Sequence, residues 1–114
     1  MAKYEKQLKG DFDVLKTYVN DSIIDGSVSS TYEDGFDGTC DGIRCCTMVY
    51  ERYSAFGGNR VSMNVTIFGK DDNLNLVAIT SGGSQAVFWK INTLGEETFL
   101  DTLIRAVEEY ERKV

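Results

Sequence analysis

The sequence predicts an α+β fold in two layers: an antiparallel sheet of four to five strands, with an N-terminal and a C-terminal helix packed on one face. Three observations carry that prediction. Val61, Met63, Val65 and Ile67 alternate with Ser62, Asn64 and Thr66, the period of two expected of a strand with one face on a core. Phe12, Leu15, Val19 and Ile23, and later Phe99, Leu103, Val107 and Tyr110, recur instead at helical spacing. The breaks between periodic stretches are supplied by Gly, Asn and Asp, in a chain that contains no proline.

Taken in order, Lys3 to Lys9 alternates loosely around Tyr4 and Leu8 and is the candidate for a short edge strand. Gly10 breaks the pattern, and Asp11 is placed as the N-cap of the first helix, which ends near Asp25-Gly26 with glycine as a left-handed cap. From Ser27 the period changes to two, with Val28, Ser30 and Tyr32 opposing Ser29, Thr31 and Glu33, and the acidic run EDGFDGTCDG reads as a loop. Ile43 to Tyr53 is an inner strand, with Cys46, Met48 and Tyr50 on one face and Cys45, Thr47, Val49 and Glu51 on the other. Phe56-Gly57-Gly58-Asn59 and Lys70-Asp71-Asp72-Asn73 are turns on either side of the Val61 strand, and Leu74 to Thr80 is the last strand. The C-terminal helix is expected to start near Thr93, which has capping-box spacing to Glu96, with Gly95 as a competing cap. Glu96, Glu97 and Asp101 then sit near its positive end, and Arg112 and Lys113 near its negative end.

At 114 residues the chain fits one domain, 1–114, because two would each fall near the lower limit for a self-sufficient core. Its 42% hydrophobic and 26% charged residues are ordinary globular usage, and thirteen aromatics supply bulky core material. A net charge of −6, with the twelve basic residues scattered, opposes nucleic acid and anionic membranes. The N-terminal residues form no apolar signal region, and no window reaches the ~18 apolar residues of a membrane span, so a cytoplasmic location is expected. Three cysteines, Cys40, Cys45 and Cys46, are an odd number that reads as free thiols, small side chains within a sheet. With no histidine they do not complete a four-ligand zinc site, and no metal or cofactor is expected.

The absence of histidine also removes the usual general base and the Ser-His-Asp and Cys-His arrangements. Glu51 is the one carboxylate placed for partial burial, and a cross-strand ion pair with a basic residue such as Arg60 is the structural reading of it. Glu33, Asp34, Asp37 and Asp41 lack the spacing of an EF-hand loop and read as solvated. The stretch TSGGSQAVFWKINTLGEE matches neither GxGxxG nor GxxxxGK[ST]. Two readings stand for it: a structural turn, or a ligand-contacting loop in which Gly82 and Gly83 expose backbone N–H groups to a small anion, with Ser84, Gln85 and Lys90 adding donors.

The strings VYERYSAFGGNRVSMNVTIFG (49–69) and ITSGGSQAVFWKINTLGEETFL (79–100), with KGDFDVLKTYV near the start, resemble a family of short uncharacterised bacterial proteins known only as a domain of unknown function. The similarity spans nearly the whole chain. It implies a bacterial, cytosolic, one-domain protein and brings no catalytic or binding residues with it. Two functional classes follow from the sequence as a whole. One is a non-enzymatic binding or interaction module, possible as a homodimer through apolar Val77, Ile79 and Met48 opposite the core face. The other is a small enzyme or ligand sensor with Glu51, Gln85 and Lys90 converging on a pocket.

Overall fold

Seven elements follow one another in the computed structural model: β1 (Ala2–Lys9), α1 (Phe12–Asp25), β2 (Thr31–Cys40), β3 (Ile43–Tyr53), β4 (Arg60–Lys70), β5 (Asn73–Gly82) and α2 (Trp89–Lys113). The structure describes residues 1–26, 29–53, 60–82 and 89–113, with side chains in α2 from residue 98 onward. The predicted Phe56–Asn59 turn lies outside the described residues.

The sheet has the order β1-β5-β4-β3-β2, and every neighbouring pair is antiparallel. The four strands β2 to β5 form a meander, while α1 carries the chain from β1 at one edge to β2 at the other. Pairing of β1 with β5, from Ala2 opposite Thr80 to Lys9 opposite Asn73, adds β1 as an edge strand beyond the last strand of the meander.

One face of the sheet holds the core. Met63, Val65 and Ile67 of β4 are fully buried beside Leu76 and Ala78 of β5 and Cys46, Met48 and Tyr50 of β3. Both helices close over them, α1 with Leu15, Val19 and Ile23 and α2 with Phe99, Leu103 and Val107. The period-two and period-3.6 patterns therefore meet on a single apolar layer, the arrangement the alternation predicted. Met48 is part of it, at 3% exposure, so it is removed from the expected interface with Val77 and Ile79. Its register partner Val65 is a core residue, and the alternation of β3 leaves Met48 no other face.

Local chemistry accounts for the element ends. The Asp11 carboxylate accepts from the Val14 N–H at 3.0 Å, capping α1 as its position predicted. Gly26 differs from expectation: its φ of −80° is right-handed, and its N–H simply continues the helical bonding to the Ser22 carbonyl at 2.9 Å. Asp41 and Gly42 both have positive φ, 52° and 79°, which gives the two-residue hairpin between β2 and β3 its tight reversal. Gly10, at φ 138°, is obligatory for a second reason, because a Cβ there would overlap the Tyr110 hydroxyl that donates to the Lys9 carbonyl at 3.2 Å.

Two elements depart from the sequence reading. The acidic run expected to be a loop is most of β2, held by continuous pairing with β3 and interrupted only by a bulge between Tyr32 and Asp34. Gly35 and Gly38 weaken the strand propensity of this stretch, and its place at the sheet edge fits that. Helix α2 begins at Trp89, so Thr93, Gly95 and Glu96 lie inside it and not at its start. Its first turn holds no acidic residue, whereas Arg112 and Lys113 do occupy its last turn.

Candidate functional site

Most of the sequence-derived candidates lie outside the described residues. Gly82 is the last residue of β5, opposite Val61, while Gly83, Ser84 and Gln85 lie outside the described residues. Lys90 stands in the first turn of α2, and its side chain is outside the described set. Glu51 lies on the opposite face of β3 from the core, where its Oε1 is 2.9 Å from Nη2 of Arg60. That is the cross-strand ion pair its sequence position suggested. Arg52, its neighbour, points the other way and places its guanidinium 4.6 Å from the centre of the Phe99 ring.

The cysteines separate in the same manner. Cys46 is buried and burial pushes its thiol pKa up, Cys45 is half-buried on the opposite face, and Cys40 is exposed, which corrects the expectation that all three are packed within the sheet. Among the described residues no group of three or more His, Cys, Asp and Glu side chains is placed to hold a metal ion. No helix among them is long and apolar enough to cross a membrane.

The structure instead brings together a set of residues from α1, β2 and β3 that no motif announced. Asp37 is opposite Cys46 in the β2–β3 register, so its carboxylate points to the helix layer. There it meets Lys16 Nζ of α1 at 2.7 Å and Arg44 Nη2 of β3 at 3.1 Å. Arg44 reaches on to Asp13 at 2.7 Å and lies 4.4 Å from the centre of the Phe12 ring, so one guanidinium ties the start of α1 to the hairpin. The hydrogen bonds from Lys16 and then Arg44 hold the Asp37 carboxyl below its ordinary pKa. The same bond raises Lys16, and hydrogen bonds to Asp13 and Asp37 raise Arg44.

Beside this cluster a groove of about 470 Å³ opens between α1 and the β2–β3 hairpin. Lys16, Thr17, Asn20 and Ile24 form its helical wall, Tyr32, Gly35 and Asp37 its strand wall, and Met48 lies between. The groove exists because β2 puts a glycine on its inward face at Gly35, opposite Met48. A Cβ at Gly35 would collide with the Thr47 carbonyl and the Tyr32 hydroxyl. The wall is rigidly backed: the Tyr50 hydroxyl donates to Asn20 Oδ1 at 2.7 Å, and the Tyr32 ring meets the Tyr50 ring edge-on at 5.7 Å. Burial pushes the Tyr50 phenol well above its ordinary pKa. Among the described residues, no side chain hydrogen-bonds to the hydroxyls of Thr17 or Tyr32.

A second hollow of similar size, about 460 Å³, lies at the opposite edge beside Gln7, Lys9, Asn73 and Tyr110. Its polar groups are engaged with one another, Lys9 Nζ with Asn73 Oδ1 and the Tyr110 hydroxyl with the Lys9 carbonyl. The α1–β2 groove is the better candidate because it joins an apolar floor to hydroxyls that have no side-chain hydrogen bond among the described residues, the composition of small-molecule sites.

Against known proteins, residues 1–111 match the model of a family of unknown function, DUF6054. No curated protein matches the chain.

Proposed function

The chain belongs to DUF6054, a family of unknown function, and we propose that it is a non-enzymatic binding module that takes a small, uncharged, amphipathic molecule into the groove between α1 and β2. The observation that carries this reading is the groove itself, about 470 Å³, with Met48 and Ile24 in its lining beside Thr17 and Tyr32, and the ionisable groups around it shift in a direction that fits binding. Asp13 and Asp37 move down, and Lys16, Arg44 and Tyr50 move up. Every one of them moves away from neutrality, whereas a general acid or base needs a pKa near the working pH. Fixed charge states suit binding and orientation, not proton transfer.

The two cations and two carboxylates of the cluster also cancel, Lys16 and Arg44 against Asp13 and Asp37. A charged ligand would gain little there, while Met48 and Ile24 offer apolar contact and Thr17 and Tyr32 offer hydroxyls. The small anion expected from Gly82, Gly83, Ser84, Gln85 and Lys90 is a separate proposal about the segment after β5. We place the module in a bacterial cytosol, where three unpaired thiols persist, and away from nucleic acid, which a net charge of −6 repels.

Native mass spectrometry of protein purified gently from a bacterial cytosol tests the reading. The expected spectrum contains a bound small molecule that disappears in Thr17→Trp, a substitution that fills the groove from an exposed helix position, while the melting temperature stays within ~2 °C. A bound mass that survives Thr17→Trp, or no bound mass at all, would overturn it.

A further inference from the structure

The uncovered face of the sheet has the anatomy of a protein contact, and we infer that it is the interface through which two copies of this chain form a symmetric dimer. The helices lie wholly on the other face, so nothing within the described chain shields this one. The three middle outward positions of β3, β4 and β5 contain no charged side chain, although a quarter of the chain is charged, 26%. Thr47 and Thr66 sit at the centre, their hydroxyls 3.2 Å apart, with Val49, Phe68, Val77 and Ile79 around them. Ile79 is 38% exposed and Phe68 39%, while Phe36, farther out on β2, is 69% exposed. Charges return only at the margins, with Lys3 and Glu5 on β1, Asp34 on β2 and the Glu51–Arg60 pair at one end. A charge-free centre, part apolar and part Thr and Asn, inside a charged rim matches the depletion of charged residues at the core of protein interfaces.

Size and charge identify the occupant as a second copy. Five strands ~4.8 Å apart, of 8, 10, 11, 11 and 10 residues, present roughly 800 Å², matching the ~800 Å² per partner of a stable interface. Two molecules of charge −6 repel where their acidic surfaces meet. The exposed side of α2 mixes Glu108, Glu109 and Glu111 with Arg105, Arg112 and Lys113, the β2 edge carries Glu33 and Asp34, and the β1 edge carries Lys3, Glu5, Lys6 and Lys9, so a symmetric contact through any of them would bury charged side chains. The neutral sheet face is where two copies meet without that penalty. An isologous pairing puts Thr66 near the two-fold axis and stacks the sheets ~10 Å apart in the aligned manner of a β-sandwich.

This inference does not rest on the groove, which opens on the helix side, although Phe36 and Thr47 border both. Its test is the mass in solution, by light scattering after size exclusion from ~1 to ~100 μM, of wild type, Ile79→Lys and Val14→Lys. Ile79→Lys places like charges across the proposed interface, and Val14→Lys changes a more exposed apolar residue on α1, 58% exposed, that the interface does not use. The expected result is a dimer for wild type and Val14→Lys and a monomer for Ile79→Lys, with its circular dichroism unchanged. If Ile79→Lys loses its fold, Phe36→Lys at the more exposed edge of the same face is read in its place. A monomeric wild type at ~100 μM, or a dimer that persists in the substituted face, would overturn the proposal.

Discussion

Asp37 shows what a single residue contributes and why its role was hidden. Read from its neighbours it is one of several carboxylates in a Gly-rich acidic run, and only the register of β2 on β3 turns it toward Lys16 and Arg44. Glu51 is the contrary case, since its position in a strand was enough to anticipate a cross-strand partner, found in Arg60. Asp37 also makes a testable contribution to acid stability. Its folded pKa lies below the ordinary 3.8 because Lys16 and Arg44 bond to the ionised form. A carboxyl depressed in this way stabilises the fold above its unfolded pKa, and that stabilisation is lost as pH falls toward the folded value. Comparison of Asp37→Asn with wild type by thermal melts should show a lower melting temperature for the variant, by a constant amount between pH 5 and 8, narrowing below about pH 4. A gap that stays constant down to pH 2 would remove the ion pairs from the account.

At the level of elements, the sequence was informative wherever one face is buried and the other wet. Strand β4 and helix α1 follow their periodicity almost residue by residue, because burial of Val61, Met63, Val65 and Ile67, or of Leu15, Val19 and Ile23, is the reason for the pattern. Strand β2 has nearly every residue exposed, so no hydrophobic period exists to be read, and its backbone ladder to β3 alone makes it a strand. The start of α2 escaped for another reason. Local signals at Thr93 and Glu96 imitate an N-terminus, yet the helix runs through them from Trp89. Capping was read correctly at Asp11, and its energetic share can be measured: Asp11→Ala leaves the Val14 N–H without its acceptor and is expected to cost about 1 kcal/mol in urea unfolding. A loss under a few tenths would mean that water replaces the carboxylate at no cost.

For the molecule as a whole, two-layer architecture and helix placement were legible from composition and period, whereas strand order was not. Nothing local distinguishes β1 beside β5 from β1 beside β2, because α1 can bridge either distance. The candidate groove was hidden for the same reason, since it is assembled from α1, β2 and β3 by topology and contains no contiguous motif. One global property was visible at once: the chain has no proline. Refolding should therefore lack the phase of tens of seconds that X-Pro isomerisation imposes, and double-jump refolding after long and short unfolding delays should give the same rates. A slow phase that grows with the delay in denaturant would point to another source of heterogeneity.

The pairing of β1 with β5 has a consequence during synthesis. Strand β1 is made before β5 and stays unpaired until β5 follows, because Ala2 to Lys9 must wait for Asn73 to Thr80. Throughout that interval the early strand has Lys3, Lys6 and Lys9 along it and only Tyr4 and Leu8 as bulky apolar residues. Its lysines keep an orphan strand soluble and unattractive to other nascent chains, so the same charges that border the finished sheet act first as a guard on the unfinished one.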